Sequence, residues 1–145
     1  MGGLTDNLSV HEFACKCEDE CTHKEVVHMP LALAMQAAAD YFVEQYNAER
    51  VIVNISCGNR CPDHNIHVQI KDTGKTYHEA KKSKSTHVRC IGADHTISVV
   101  VMGEKHEIEP QELYEYYDDT HFNSCGVGLY SWGVHLDMRL NKARW

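Results

Sequence analysis

The sequence of 145 residues lacks the features that would assign it to a membrane, to nucleic acid or to secretion. No run approaches the roughly 18 consecutive apolar residues of a membrane span, so we expect a soluble protein. Only 14 Lys and Arg stand against 21 Asp and Glu, and the net charge of −7 argues against a phosphate-binding surface for nucleic acid. Residues 1–6 have neither the basic nor the apolar region of a signal peptide. We therefore expect synthesis in the cytoplasm.

Repeats and low-complexity linkers are also missing, which at this length predicts one domain over residues 1–145. Apolar residues at three- and four-residue steps predict a helix over 30–47 that begins at a proline. The predicted fold class is α+β, with a small, mostly antiparallel sheet and flanking helices. A second helix is predicted over 110–117, strands over 51–55, 96–101, 127–130 and 134–138, and irregular structure over 1–29 and 62–86.

Cysteine and histidine, by contrast, are abundant, with 7 Cys and 11 His. An odd number of cysteines cannot all pair within one chain, which leaves a thiol or a metal role for at least one. His87 and Asp94 flank a turn of small residues, and His135 and Asp137 share one face of a predicted strand. A hydrolytic zinc site needs three protein ligands and one open position. These two segments are the candidates for supplying the ligands.

Five segments carry a resemblance that covers nearly the whole chain: Leu8–Cys17, Arg60–Asn65, Ser85–His87 with Ala93–Asp94, Val134–Arg139, and Arg144–Trp145. In this order they resemble the zinc D-Ala-D-Ala carboxypeptidase family. That family is similar in fold to vancomycin-resistance dipeptidases, to phage L-alanoyl-D-glutamate endolysins and to the amino-terminal domain of hedgehog proteins. The resemblance implies a hedgehog/D-Ala-D-Ala peptidase-like fold. It also implies a zinc-dependent peptidase that cleaves peptidoglycan stem peptides, either as a carboxypeptidase or as an endolysin-like endopeptidase.

The resemblance makes His87, Asp94 and His135 the ligands of one Zn²⁺ ion. It implies that Arg60 holds substrate or stabilises the developing oxyanion, a task that suits a permanently charged, planar guanidinium. Ser85 matches a substrate-contacting serine, and a turn residue that bonds its own backbone is an equal alternative. The implied partner is peptidoglycan peptide. We expect a monomer that acts on the cell wall after release, or as part of a virion.

The position of the general base departs from the family pattern. Related dipeptidases and endolysins have an acidic residue three positions before the last ligand, where this chain has Trp132. Asp137 is the candidate catalytic replacement, because it shares a strand face with His135 and could take a proton from the zinc-bound water. The alternative is that Asp137 orients a ligand or pairs with Arg139 or Arg60.

Several cysteines also depart from the family, which commonly has serine at Cys57 and glycine at Cys90. An apolar residue is usual where His95 stands. Cys90 could approach the metal as a thiolate, which would close the fourth coordination position and make the site structural. Its alternative is a small apolar filler.

The amino-terminal cysteines Cys15, Cys17 and Cys21 lack the paired spacing of common zinc sites. We expect a packed or disulfide-linked segment there rather than a second metal site.

Three functional hypotheses remain. The leading one is the zinc peptidase. The second is a module that keeps the zinc fold without catalysis and binds cell wall or serves a structural role in a virion, which the missing acid at Trp132 and the thiol of Cys90 favour. The third is a cysteine hydrolase that uses Cys90 or Cys61 with a neighbouring histidine.

Overall fold

The computed structural model describes residues 3–145, in which helices alternate with the strands of one sheet. The helices are α1 (Val10–Phe13), α2 (Met29–Tyr46), α3 (Pro62–Thr73), α4 (Tyr77–Lys81) and α5 (Pro110–Thr120), with a 3₁₀ turn at Thr22–Lys24. The strands are β1 (Arg50–Cys57), β2 (Gly92–Val101), β3 (Glu104–Glu107), β4 (Gly126–Leu129), β5 (Val134–Asp137) and β6 (Ala143–Arg144).

The sheet runs in the order β1-β2-β5-β4-β6, with β3 paired to β2 beside it. Every pairing is antiparallel except the short parallel contact between β4 and β6. The predicted α+β class with a small, mostly antiparallel sheet is therefore confirmed. Strand β2 lies at the centre, and most of its residues are buried. A central strand of this kind holds its side chains in fixed positions on both faces.

Helices α2 and α5 cover one face of the sheet. Helix α2 begins with Pro30 in its first turn, where the missing proline N–H costs nothing, and ends at Asn47 in the left-handed conformation. Its apolar face is buried against the sheet through Leu31, Met35 and Phe42. The prediction of a helix over 30–47 is confirmed, and the helix predicted over 110–117 extends to Thr120.

The segment 62–86 is not irregular, so that prediction is wrong. It contains α3 and α4, whose ends are set by local signals rather than by an apolar stripe. Pro62 lies in the first turn of α3, and Gly74 ends the helix in the left-handed conformation. Thr76 and Glu79 form a capping box at the start of α4. Because Asn65 is the buried residue of α3, no hydrophobic period marks this helix in the sequence.

The segment Thr22–Tyr46 is long and apolar enough to cross a membrane by length and composition alone. A buried core helix passes the same test. Here α2 supplies a large part of the buried apolar cluster of residues 3–145, which continues through Ile97 and Val99 of β2 to Leu113 and Tyr117 of α5.

Candidate metal centre

Three neighbouring strands bring polar side chains together on the sheet face opposite α2 and α5. Asp94 of β2 is paired with Cys57 of β1 on one side and with His135 of β5 on the other. A register shift between Ile55 and Cys57 marks a bulge in β1, a device that re-aims side chains near functional sites. Directly opposed residues share a face of a sheet. The strand pairing itself therefore aligns a thiol, a carboxylate and an imidazole.

His87 reaches this row from the loop between α4 and β2. Its ring is buried, and its Nδ1 lies 2.7 Å from the carbonyl oxygen of Gly58. A carbonyl oxygen can only accept, so Nδ1 carries the hydrogen and donates it. The other ring nitrogen, Nε2, faces Asp94 Oδ2 at 3.3 Å. The backbone thus fixes which nitrogen of His87 is directed at the carboxylate.

The ring of His135 is also held by a hydrogen bond, through Nε2 rather than through Nδ1 as in His87. Its Nε2 donates to Asp137 Oδ2 at 2.9 Å, and Arg139 in turn donates to both oxygens of Asp137 at 2.7 Å. Nδ1 of His135 is left facing Asp94 Oδ1 at 2.7 Å. The two imidazole rings stand nearly perpendicular, with their centroids 5.0 Å apart. Each ring therefore directs one nitrogen at Asp94. The other nitrogen is hydrogen-bonded to the Gly58 carbonyl in His87 and to Asp137 in His135.

The charges of this group reinforce one another. Burial alone would lower the pKa of His87, but hydrogen bonds and charge from Asp94 and Cys57 outweigh it and raise that pKa to about 10. Burial alone would raise the pKa of Asp94, but hydrogen bonds from His135 and His87 outweigh it and hold that pKa well below its usual range. In the metal-free protein Asp94 is therefore an anion, and His87 is a cation with a hydrogen on both ring nitrogens. A metal ion could replace the proton that His87 Nε2 holds towards Asp94.

The group lies in an open cleft of about 750 Å³. Tyr130, Trp132 and Trp145 form an aromatic wall, on which Trp132 stacks against Tyr130 with ring centroids 5.4 Å apart. The rest of the lining is mostly polar and includes residues of α3 and of the segment 83–86. A cleft lined by aromatic and polar side chains can accommodate an extended polar ligand such as a peptide.

Arg60 and Ser85, which the sequence assigned to substrate, both line this cleft. The Arg60 guanidinium lies 4.0 Å from Asp94 Oδ2 and donates to the Cys57 sulfur at 3.0 Å. Ser85 Oγ accepts from the backbone N–H of His87 at 3.3 Å, which is the contact expected of a turn residue. Both interpretations of Ser85 are therefore compatible with its place, since it supports the His87 loop and faces the cleft.

Asp137, the predicted general base, lies away from Asp94. It is fully buried, it contacts the edge of His135 opposite Asp94, and both its oxygens accept from Arg139. Burial would raise its pKa, but the hydrogen bonds from His135 and Arg139 outweigh it and hold that pKa well below its usual range. Of the two interpretations of Asp137, this geometry is the one required of a carboxylate that orients a ligand.

Cys57 is the residue that the sequence did not single out as a ligand. Its sulfur, His87 and Asp94 each offer a donor atom, and these atoms lie within 4.8 Å of one another. The chain is therefore compatible with a metal ion at Cys57, His87 and Asp94. His135, the third predicted ligand, is not in this group and lies beside it, with Nδ1 2.7 Å from Asp94 Oδ1. Over residues 3–145 one further metal-compatible group is found, formed by Cys15, Cys17, Cys21 and Cys61, and Cys90 belongs to neither group. Its backbone has a φ of 57°, in the region that favours glycine.

Two glycines of β4, also missed from the sequence, leave space for the side chains around His135. A Cβ at Gly126 would meet the Asp137 carboxylate and Arg139, and a Cβ at Gly128 would stand 2.5 Å from the Trp145 indole nitrogen. Strand pairing places Gly126 opposite Asp137 and Gly128 opposite His135. The Gly126-Val127-Gly128 alternation was the available signal, because glycine within a strand often marks a close approach.

Comparison of the chain with protein-family models, with curated proteins and with solved structures finds no match in any of the three.

Proposed function

We propose that this protein is a zinc-dependent peptidase whose metal ion is held by His87, Asp94 and His135. One observation carries the proposal. Each histidine has its outward nitrogen bonded, to the Gly58 carbonyl or to Asp137, while its inward nitrogen faces an oxygen of Asp94 at the base of an open cleft. Metal-binding histidines characteristically bond the remote nitrogen to a carbonyl or carboxylate in this way.

The donor set fits zinc and leaves room for a reactive water. Two imidazoles and one carboxylate are three ligands, the number found in catalytic zinc sites, which keep a fourth position open. Zinc held there would supply a bound water of lowered pKa and would polarise a carbonyl group. If Cys57 also bound the ion, the fourth position would be closed and the site would be structural. His135→Ala and Cys57→Ser separate these outcomes by zinc content, since the first should lose zinc and the second should retain it.

The other residues of the cleft have roles that follow from their places. The Arg60 guanidinium faces the cleft beside Asp94 and suits a substrate carboxylate or a developing oxyanion. Ser85 holds the His87 loop and can bond the substrate backbone. Asp137 acts through His135 and is a positioning residue rather than the general base that the sequence had suggested.

The substrate class rests on the sequence resemblance, which implies peptidoglycan stem peptide. The cleft, lined by aromatic and polar side chains, is compatible with a peptide. Purified cell walls should release new amino or carboxyl ends when protein and zinc are added, and chelator should abolish the release. His87→Ala should be inactive, while His106→Ala, on the exposed strand β3, should retain activity and control for loss of an imidazole. Equal release with and without chelator, or no release by the zinc-loaded protein, would contradict the proposal.

A module without catalysis is the second candidate, and one observation favours it. The carboxylates that line the cleft over residues 3–145 are Asp72 and Asp94, and Trp132 occupies the position of the usual acid. A module would sediment with cell walls in its zinc-loaded form and release no new ends. The peptidase would sediment and also release them. The two activities are measured on the same sample, so one experiment separates the candidates.

A further inference from the structure

Four cysteine sulfurs meet on the amino-terminal side of the protein, apart from the cleft. Cys15, Cys17 and Cys21 belong to the segment between α1 and the 3₁₀ turn, and Cys61 precedes the first turn of α3. We name these four residues the thiol cluster. Their sulfurs all lie within 4.8 Å of one another, and those of Cys17 and Cys21 are 3.5 Å apart. None of the seven cysteines of the chain is in a disulfide. The four sulfurs are grouped closely enough to hold a metal ion, which the spacing of these cysteines in the sequence had not led us to expect.

From this geometry we propose that the thiol cluster is a second, structural metal site that binds zinc with four thiolates. A tetrahedral ion with Zn–S bonds of about 2.3 Å places its sulfurs about 3.8 Å apart. The Cys17 and Cys21 sulfurs lie 3.5 Å apart and all four lie within 4.8 Å of one another, whereas a disulfide requires about 2.05 Å. Four cysteine ligands complete the coordination shell, which is the arrangement of a structural site rather than a catalytic one.

The exposure of three of the sulfurs, and the N–H donors that reach two of them, distinguish this cluster from apolar filler cysteines. Cys17, Cys21 and Cys61 are partly exposed, whereas a filler cysteine is among the most buried of residues. Cys15 Sγ accepts from the backbone N–H of Cys61, and Cys61 Sγ accepts from that of His64. Such N–H donors stabilise a charged sulfur. Cys61 also lies at the amino terminus of the 12-residue helix α3, whose dipole favours a negative charge.

The site would join two parts of the chain that are distant in sequence. The amino-terminal segment that carries Cys15, Cys17 and Cys21 is also bonded to Asn59, which precedes the cleft residue Arg60. The Asn59 backbone N–H donates to the Phe13 carbonyl, and its side-chain amide donates to the carbonyls of His23 and Val26. An ion shared with Cys61 would hold this segment against the start of α3. The expected ligand class is a borderline-soft divalent cation, zinc first, because thiolate ligands select such ions. The inference does not depend on the proposed peptidase activity.

Zinc content of paired variants tests the site. Each protein is loaded with zinc under reducing conditions, desalted and analysed for bound metal. The unchanged protein should hold zinc at both centres, the double variant Cys17→Ser/Cys21→Ser should lose one equivalent, and His87→Ala should lose the other. Cys90→Gly removes a thiol outside both groups and should lose none. Full zinc content in the double variant would overturn the thiol cluster, whereas full content in His87→Ala would overturn only the centre in the cleft.

Two further measurements keep the proposal testable if the double variant fails to fold. In the unchanged protein, zinc should protect Cys15, Cys17, Cys21 and Cys61 from alkylation, and chelator should remove that protection, as read by peptide mass spectrometry. In His87→Ala loaded with Co²⁺, the remaining site should show the intense sulfur-to-metal charge-transfer absorption of a tetrahedral thiolate complex. Alkylation that does not respond to zinc, or a cobalt spectrum without these bands, would overturn the proposal.

Discussion

Asp137→Asn tests whether this carboxylate orients His135 or takes a proton during the proposed hydrolysis. Asp137 is fully buried, accepts from His135 Nε2 at 2.9 Å and accepts from Arg139 through both oxygens at 2.7 Å. Asparagine keeps the shape and one acceptor oxygen but removes the charge. His135 then loses the anionic acceptor that fixes its tautomer and makes Nδ1 a better metal ligand.

The size of the effect follows from the kind of contact that is lost. Removing the partner of a metal-binding histidine typically weakens metal binding about 10–100-fold, which corresponds to about 1.4–2.7 kcal/mol. The Arg139 guanidinium also loses its bidentate partner, which should lower the free energy of unfolding by about 1 kcal/mol, at the low end for an unpaired donor. The low end applies because the Arg139 side chain is 33% exposed and can be hydrated.

Zinc affinity is measured by competition with a chromophoric chelator, alongside urea unfolding of the metal-free protein. Asp119→Asn is the matched control, since Asp119 is an exposed carboxylate on α5. We expect weaker zinc binding in Asp137→Asn alone, with residual hydrolysis restored by excess zinc. An unchanged zinc affinity together with complete loss of hydrolysis would refute the positioning role and return Asp137 to the role of general base.

Three other changes address the same centre. Gly126→Ala puts a Cβ against the Asp137 carboxylate, so zinc affinity should fall in the same competition assay, and unchanged affinity would contradict the close packing. Cys90 has a left-handed backbone, which costs a residue other than glycine about 1–2 kcal/mol, so in Cys90→Gly the urea midpoint should hold or rise. Zinc content should be unchanged, and loss of zinc would identify Cys90 as a ligand. Zinc must displace the proton held by His87, whose pKa is about 10, so affinity should rise about tenfold per pH unit between about pH 7 and 9. The free energy of unfolding of the metal-free protein should change with pH in the opposite direction. Because the pKa of His87 is raised on folding, its contribution to stability is complete below about pH 6.5 and is lost as the pH rises towards 10.

The sequence predicted the elements that bury several apolar residues and missed those that bury few or none. Helix α2 has a buried apolar face and was predicted nearly to its ends. Helix α3 buries only Asn65 and turns Gln69 and Asp72 towards the cleft, so its hydrophobic period is absent. Its caps at Pro62 and Gly74 were the readable signal. Periodicity therefore fails where a segment buries few apolar residues, whether it lines the cleft, as α3 does, or lies exposed, as β3 does.

The residues of the site could be predicted from the sequence, but their orientations could not. Separate segments of sequence carry His87, Asp94 and His135, and the structure brings these three predicted residues together. The part that could not be predicted is which ring nitrogen each histidine presents, because that depends on the Gly58 carbonyl and on the depth at which Asp137 is buried. Neither property is a pattern in sequence. Both arise from how strands far apart in the chain are paired.

Gly58 is the residue at which the amino-terminal segment and the metal centre meet. Its carbonyl orients His87, and its Cα packs so closely on Phe13 that a Cβ would stand 2.5 Å from the Phe13 carbonyl oxygen. Backbone atoms cannot rotate away as a flexible side chain can. In Gly58→Ala, either the amino-terminal segment or the Gly58 carbonyl must therefore move.

We expect Gly58→Ala to weaken zinc binding at His87 as well as to lower the urea midpoint. Gly103→Ala is the control for destabilisation alone, because Gly103 has a φ of 79° and open space around its Cα, at the end of β2 away from Asp94. If both variants lost equal stability and neither lost zinc affinity, the Gly58 carbonyl would not be what holds His87 in place. A loss of affinity confined to Gly58→Ala would show that the packing of Gly58 on Phe13 sets the geometry of the proposed metal centre.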